Sequence, residues 1–385
     1  MNNRERFFNV LTNKQIDHTP FFPDIVSWYV YTRQAFGTEA AFGPGEYIPD
    51  DHEFNRRQSR LTGPLARMTF LDLYREHGWG LPVHLYNWYA TGYSGGVEKV
   101  EQKEGKTRSV TYRTPMGDLQ RTWQLADDGS WAPMRHLIKE LGDLEIYKYI
   151  VKNSREIPAP EVAVKFFKET AGFGVCDMVI RRSPFGKLVH ELMGFERVIY
   201  ELYDNEKVIN DFLAFQEYYD LKLIEQAAEY PAQVVCISDH ADENLISPDY
   251  YRKYCIPFYQ KACAILHKKN KFISTHLDGN FKGFFPIIKE THFDLLDGCT
   301  PAPMFNYEVE ELAEATGNDL HCYCGVPSTL FTQHLPEREI TAFANRIIKA
   351  FDGKVILNVG DVLPPDGDIN LVVAAGQTVD ISVSY

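Results

Sequence analysis

Residues 271–280 read KFISTHLDGN, a β-branched and apolar run that ends abruptly in His276, Asp278 and Asn280. The run is too short for a helix, and its last residues are polar where an internal strand would stay apolar. The same profile recurs along the chain. Strand candidates lie at Cys176–Ser183, Gln233–Asp239, Lys271–His276, Phe293–Asp297, Leu320–Gly325 and Val355–Val359. Helical stretches separate nearly all of them. Asn205–Glu229 carries Val208, Phe212, Phe215, Tyr219 and Leu223 at the three-and-four spacing of a one-sided helix. Ser247-Pro248 predicts a helix start, with a hydroxyl N-cap followed by proline in the first turn, and Pro257 predicts a kink.

Strand and helix in repeated alternation predict parallel strands with right-handed crossovers. A closed eight-stranded barrel and an open doubly wound sheet both fit. The open sheet usually carries a glycine-rich phosphate turn after its first strand, and the sequence has none. The expected fold is therefore a (β/α)₈ TIM barrel, with its two remaining strands at Phe21–Val26 and near Leu81–Trp88. The first 150 residues or so are irregular and read as an N-terminal elaboration. They open with a helix at Arg4–Thr12, include one or two inserted hairpins at 95–125, and end in a polar helix at Leu141–Asn153. No low-complexity linker interrupts the chain, so residues 1–385 are expected to form one domain.

Composition narrows the function. The chain has 385 residues, 44% hydrophobic and 14% aromatic, enough for a large core and a ring-lined cleft. A net charge of −13, spread along the chain, argues against a nucleic-acid partner, which needs a basic face. No run approaches the roughly 20 apolar residues that span a bilayer, so no membrane association is expected. The N-terminus lacks an apolar stretch of signal-peptide type. Seven scattered cysteines suit reduced thiols in a cytoplasmic protein better than a disulfide framework.

Barrels carry their chemistry at the C-terminal strand ends. Asp239, His240 and Glu243 follow one candidate strand, and His276, Asp278 and Asn280 follow the next. Gly360-Asp361 follows the last, and Asp24 lies near the end of the first. His276 and Asp278, two apart on an extended segment, face the same way and suit a metal ion; an ordinary His–Asp hydrogen bond is the alternative. Asp239, His240 and Glu243 are candidates for substrate contact, proton transfer or metal ligation, against a plain solvated loop. Arg181-Arg182 suggests a carboxylate clamp, against a structural ion pair. Cys322 and Cys324 share the i, i+2 spacing but sit in an apolar strand, where structural thiols are expected.

Several segments resemble the uroporphyrinogen decarboxylase superfamily. They are Arg4–Pro20, Ile237–Pro257 with its Leu-Ile-Ser-Pro, Thr275–Gly279, Thr300–Met304 and Gly325–Ser328. The likeness is strongest from about 176 to 365. It implies a barrel with a deep cleft and one of two activities. One is cofactor-free decarboxylation of uroporphyrinogen. The other moves a methyl group from a small methylated substrate to a corrinoid protein or a thiol, usually with zinc. In that second branch the resemblance implies a zinc held by a His-x-Cys pair and a later cysteine. His276 matches the histidine, Asp278 stands where the first cysteine would be, and Asp361 lies about where the last would be. True decarboxylases carry an Arg-Gln-Ala-Gly-Arg segment; here Arg33-Gln34-Ala35 continues into Phe36-Gly37 and is read as coincidence.

The expectation is a corrinoid-dependent methyltransferase acting on a small O- or N-methylated substrate. His276, Asp278 and Asp361 would hold zinc, Asp239, His240 and Glu243 would be catalytic, and Asp24, Arg181 and Asn280 would bind substrate. The corrinoid would arrive on a partner protein, and a homodimer is expected. Decarboxylation of the uroporphyrinogen type is the alternative, and a non-catalytic ligand-binding barrel is the second.

Overall fold

A computed structural model of the chain describes residues 1–35, 68–126, 131–170 and 172–379. In chain order the strands are β1 (Leu81–Leu85), β2 (Tyr89–Tyr93), β3 (Glu98–Glu104), β4 (Thr107–Arg113), β5 (Leu119–Leu125), β6 (Trp131–Arg135), β7 (Ser154–Pro158), β8 (Gly174–Ile180), β9 (Val234–Ile237), β10 (Phe272–His276), β11 (Leu295–Cys299), β12 (His321–Gly325) and β13 (Ile356–Asn358).

The core is a parallel seven-stranded sheet in the order β1-β8-β9-β10-β11-β12-β13. From β8 to β13 each strand pairs with the next strand of this sheet in sequence, the neighbour order expected of consecutive parallel crossovers. Helices Glu206–Ala228, Ile256–His267, Val309–Thr316 and Glu337–Ala350 make four of the crossovers. Between β10 and β11 only short 3₁₀ turns, Lys282–Phe284 and Ile288–Thr291, fill that place.

The expected strand at Phe21–Val26 is not regular. It is reduced to one parallel bridge between Phe21 and Leu357. Pro20 and Pro23 have no N–H to give a ladder, which limits the pairing. The bridge still joins the two edges of the sheet. Phe22 N–H donates to the Leu357 carbonyl, Leu357 N–H to that of Pro20, and Gly80 N–H to that of Phe21, each at 2.9 Å. Helix Val26–Ala35 begins where the strand was expected to end.

The inserted element is larger than the hairpins expected at 95–125. β3-β4-β5-β6 form a four-stranded antiparallel sheet reaching Arg135, and β2 pairs with β7 in a second, two-stranded one. The Ser247 hydroxyl caps the next helix by accepting from Tyr250 N–H at 3.3 Å. A π-turn at Tyr251–Cys255 then absorbs the disturbance ahead of Pro257.

An apolar plug closes the N-terminal strand ends. Phe7 and Phe22 pack with Val175, Val234, Leu295, Tyr323 and Ile356, all buried. Each such side chain removed from water contributes about 1.5–3 kcal/mol. All seven cysteines are buried and free. No helix among the described residues is long and apolar enough to cross a membrane.

Candidate functional site

Strand alternation puts residues two apart on one face. Two positions beyond Pro82, Val175 and Leu295 of the inner face come His84, Asp177 and Asp297. These three polar residues form a first layer above the plug. His84 Nδ1 lies 2.8 Å from Asp177 Oδ1, and its Nε2 lies 3.8 Å from Asp297 Oδ2. Burial alone would lower the His84 pKa, but the two carboxylates outweigh it and raise it to about 10.

His276, at the end of β10, links this layer to the next. Its Nδ1 lies 2.9 Å from Asp297 Oδ2 and its Nε2 3.1 Å from Asp361 Oδ1, with Asp278 Oδ2 at 4.0 Å. His240 Nδ1 approaches Asp278 Oδ1 at 2.5 Å, and the His240 and His276 rings meet edge to face at 4.7 Å. Burial opposes a charge on His276, yet Asp361 and Asp297 hold its pKa well above the usual imidazole value. Burial likewise pushes Asp278 and Asp297 upward, and the facing imidazoles bring both below the ordinary carboxylate range. Asp24 behaves differently: burial dominates and pushes it up to about 6.

Local backbone features aim these groups. A register shift in β11 falls between Leu296 and Cys299, a bulge that re-aims Asp297. Inside it Gly298 has φ +74°, and a Cβ there would meet His276 Cε1 at 2.8 Å. Only glycine tolerates both the left-handed backbone and the overlying ring. His240 itself has φ +47°, a conformation few side chains adopt, and donates its N–H to the His276 carbonyl at 3.1 Å. At the far edge, a Cβ on Gly325 would lie 2.0 Å from Gly360 N, so β12 and the turn carrying Asp361 touch backbone to backbone.

His240, His276, Asp278, Asp361 and Asp24 line one cavity of about 290 Å³, together with Tyr86, Val179 and Cys236 among others. No lysine or arginine lines it among the described residues. The structure thus brings together five of the residues singled out in the sequence.

The other four lie elsewhere. Asp239 is buried and accepts from Ser183 N–H at 2.7 Å and from the Tyr259 hydroxyl. β9 has ended at Ile237, and the left-handed turn at His240 leaves Asp239 outside the cavity that His240 lines. Glu243 ties two loops by accepting from Gly283 N–H and the Asn306 amide. Asn280 joins that tie: its N–H donates to Asp242 Oδ2 at 3.0 Å, and its carbonyl accepts from Glu243 N–H at 2.7 Å. Arg181 pairs with Glu156 and, at 3.9 Å, with Asp220, and lines a different cavity. Asp239, Glu243, Asn280 and Arg181 are thus not among the described residues that line this cavity. The backbone of Arg33-Gln34-Ala35 belongs to helix Val26–Ala35, and Phe36-Gly37 lies outside the described residues.

Sequence reasoning missed His84, Asp177 and Asp297. Their signal was an ionisable residue inside an otherwise apolar parallel strand, a position where a charge persists only if paired.

The donor set suits a metal. His240, His276 and Asp278 offer ligand atoms all within 4.8 Å of one another, and so do His84, Asp177 and Asp297. Tetrahedral zinc, with bonds of about 2.0–2.2 Å, places its ligand atoms about 3.3–3.6 Å apart. The spacings from His276 Nε2, 3.1 Å to Asp361 and 4.0 Å to Asp278, bracket that range. Asp297 on Nδ1 is the carboxylate that commonly backs a ligating histidine.

The family model for uroporphyrinogen decarboxylase (URO-D) matches residues 136–380. The chain belongs to the URO-D family. A methyltransferase from Methanosarcina mazei is similar in structure, at TM-score 0.64 and 16% identity, with 100% of each chain covered. That likeness speaks for a shared fold. A B12-independent methionine synthase from Shewanella sp. W3-18-1 aligns at TM-score 0.44 and 11% identity over 95% of this chain and 96% of its own. No curated protein matches the chain. Within the URO-D match lie His240, His276, Asp278, Asp297 and Asp361, whereas Asp24 and His84 precede it.

Proposed function

We propose that this URO-D family member is a methyltransferase that takes a methyl group from a small O- or N-methylated substrate and passes it to a corrinoid carried by a partner protein. The observation that supports it most is the cavity's charge. It presents three carboxylates and three imidazoles and no lysine or arginine among its described lining residues. A substrate rich in carboxylates, as uroporphyrinogen is, would find no lysine or arginine to pair with there, and the imidazoles are already engaged by Asp177, Asp278, Asp297 and Asp361. A neutral or cationic methylated compound needs no such partner. The methyltransferase from Methanosarcina mazei, similar across the whole chain, is consistent with this reading.

The reading treats the seven parallel strands with the Phe21 bridge as a (β/α)₈ barrel whose eighth strand is reduced to one pair. Its site is at the C-terminal strand ends. His276, Asp278 and Asp361 would hold a zinc ion. When bound, zinc supplies Lewis acidity toward the leaving oxygen or nitrogen, which is otherwise too basic to depart. Asp297 fixes His276 so that Nε2 faces the cavity, and His240 does the same for Asp278. The Asp24 carboxyl, pushed up to about 6 by burial, holds a proton close to the working range and delivers it to the leaving atom. A reduced corrinoid, when presented by the partner, would supply the nucleophile that accepts the methyl group as the methyl–heteroatom bond breaks, and the proton held by Asp24 would neutralise the departing group. Apolar Val26, Val83 and Val179 keep water from competing. The reading is of a cytoplasmic protein, with its corrinoid carrier in the same compartment.

The test incubates purified protein with free reduced cobalamin and a panel of methoxyarenes and methylamines, and follows methylcobalamin by its absorbance. Methylation that needs both protein and substrate is the expected result. Carbon dioxide release from a carboxylated substrate without cobalamin, and no methylation, would instead favour decarboxylation. His276→Ala should lose zinc and methyl transfer together, and zinc retained at one equivalent would sink the ligand assignment.

A further inference from the structure

A second cavity, about 360 Å³, lies between the inserted four-stranded sheet, helix Asp143–Lys152 and the segment that follows β8. It is a neighbour of the first. Arg182 donates to the carbonyls of Ser238 and Asp239 at 2.8 and 2.6 Å, and Ser238 lines the His/Asp cavity. The two sites have opposite character. Where the first is acidic, this one gathers Lys99, Arg108, Arg121, Arg181 and Lys187 against Glu101 and Glu191.

Most of these cations already have carboxylates. Lys187 Nζ sits 2.9 and 3.0 Å from the two oxygens of Asp220, both residues buried. Arg181 pairs with Glu156 and Asp220. Lys99 and Arg108 share Glu101 at 2.5 and 3.6 Å. Glu191 is taken by Arg182 at 3.3 Å.

Arg121 is the exception. It forms no ion pair among the described residues. Its Nη2 reaches only the His190 carbonyl, at 3.3 Å, and its Nε is buried with no hydrogen-bond partner. The guanidinium lies 4.6 Å from the Trp123 ring centroid, which holds it in place. A partly buried guanidinium without a carboxylate partner is costly unless an anion reaches it. Between the charged groups the wall carries Tyr93, Tyr112 and Tyr147 with Ile150 and Leu192.

We propose that this cavity binds a small planar organic anion, an aromatic carboxylate, with its carboxylate on Arg121 and its ring between Trp123 and the tyrosines. Arginine accepts a carboxylate through two parallel N–H bonds, and since Nε is enclosed by protein the Nη edge of Arg121 supplies the fork. The aromatic walls favour a flat ring over a flexible acid of equal charge. This inference does not depend on the methyl-transfer reading, because it rests on a different set of side chains.

The experiment uses the full chain and two probes, benzoate and its neutral isostere benzamide, with binding read by calorimetry and by tryptophan fluorescence. Benzoate should bind at least tenfold more tightly than benzamide. Arg121→Gln should weaken benzoate at least tenfold and leave benzamide unchanged. Trp123→Phe should retain binding heat while losing most of the fluorescence response. Equal affinity for the two probes, or undiminished benzoate binding by Arg121→Gln, would overturn the assignment. So would the absence of any binding to the unaltered chain, a result that does not depend on whether a variant folds.

Discussion

The lower and upper ends of the same seven strands differ by only two residues of chain, yet they do opposite things. Below, Val175, Leu295 and Ile356 pack with Phe7 and Phe22 into a sealed plug. Two residues on, the same face presents Asp177, Asp297 and Asn358, and the interior becomes a network of imidazoles and carboxylates. The plug is stabilised by area removed from water, and the one hydroxyl among the plug residues named, that of Tyr323, donates to the Phe22 carbonyl at 2.6 Å. The upper layers hold charges in place by pairing each with its opposite. The lower end therefore sets stability, and the upper end sets chemistry.

The sharpest way to break that division is His276→Ala. It should lower methyl transfer by about 10²–10⁴-fold, the range of a lost acid–base or ligand group, with melting temperature changed far less. A collapse of the fold instead would mean that the upper layer carries stability too. The converse is Phe22→Ala in the plug, where Phe22 is fully buried. It should cost about 3–5 kcal/mol in denaturant unfolding and leave zinc per folded chain unchanged. Loss of zinc from the folded fraction would couple the two ends.

Asp297→Asn sharpens the comparison from between the layers. It keeps the size of the side chain but removes the charge behind His276 Nδ1, and should weaken zinc binding about 10–100-fold. The smallest effect is expected below the plug, where Arg6 holds Asp17 at 2.6 Å beside a helix that carries Phe7. Asp17 is 43% exposed, so Arg6→Gln should cost less than about 1 kcal/mol, and less still at high salt.

Much of the upper layer was legible because polar residues stand out at the end of an apolar run. His276, Asp278, His240, Asp361 and Asp24 all carry that signature. Asp239 and Glu243 carry it as well, and they show its limit. Sequence gives the strand end but not the direction of each side chain, and the left-handed turn at His240 sends its neighbours elsewhere. His84, Asp177 and Asp297 were hidden for the opposite reason. Inside a strand, one charged residue looks the same whether it faces solvent or a buried imidazole. The first strand misled because its composition suits a strand while Pro20 and Pro23 withhold the donors that a ladder needs.

The backbone contact between Gly325 and Gly360 has a consequence for engineering. A library that randomised either position would return mostly misfolded protein, since a Cβ at 325 would push β12 off the turn that carries Asp361 and one at 360 would meet Ser328 N at 2.8 Å. New substrate preferences are better sought around the opposite wall, at Tyr86 and Val179, where side chains rather than main chains form the boundary.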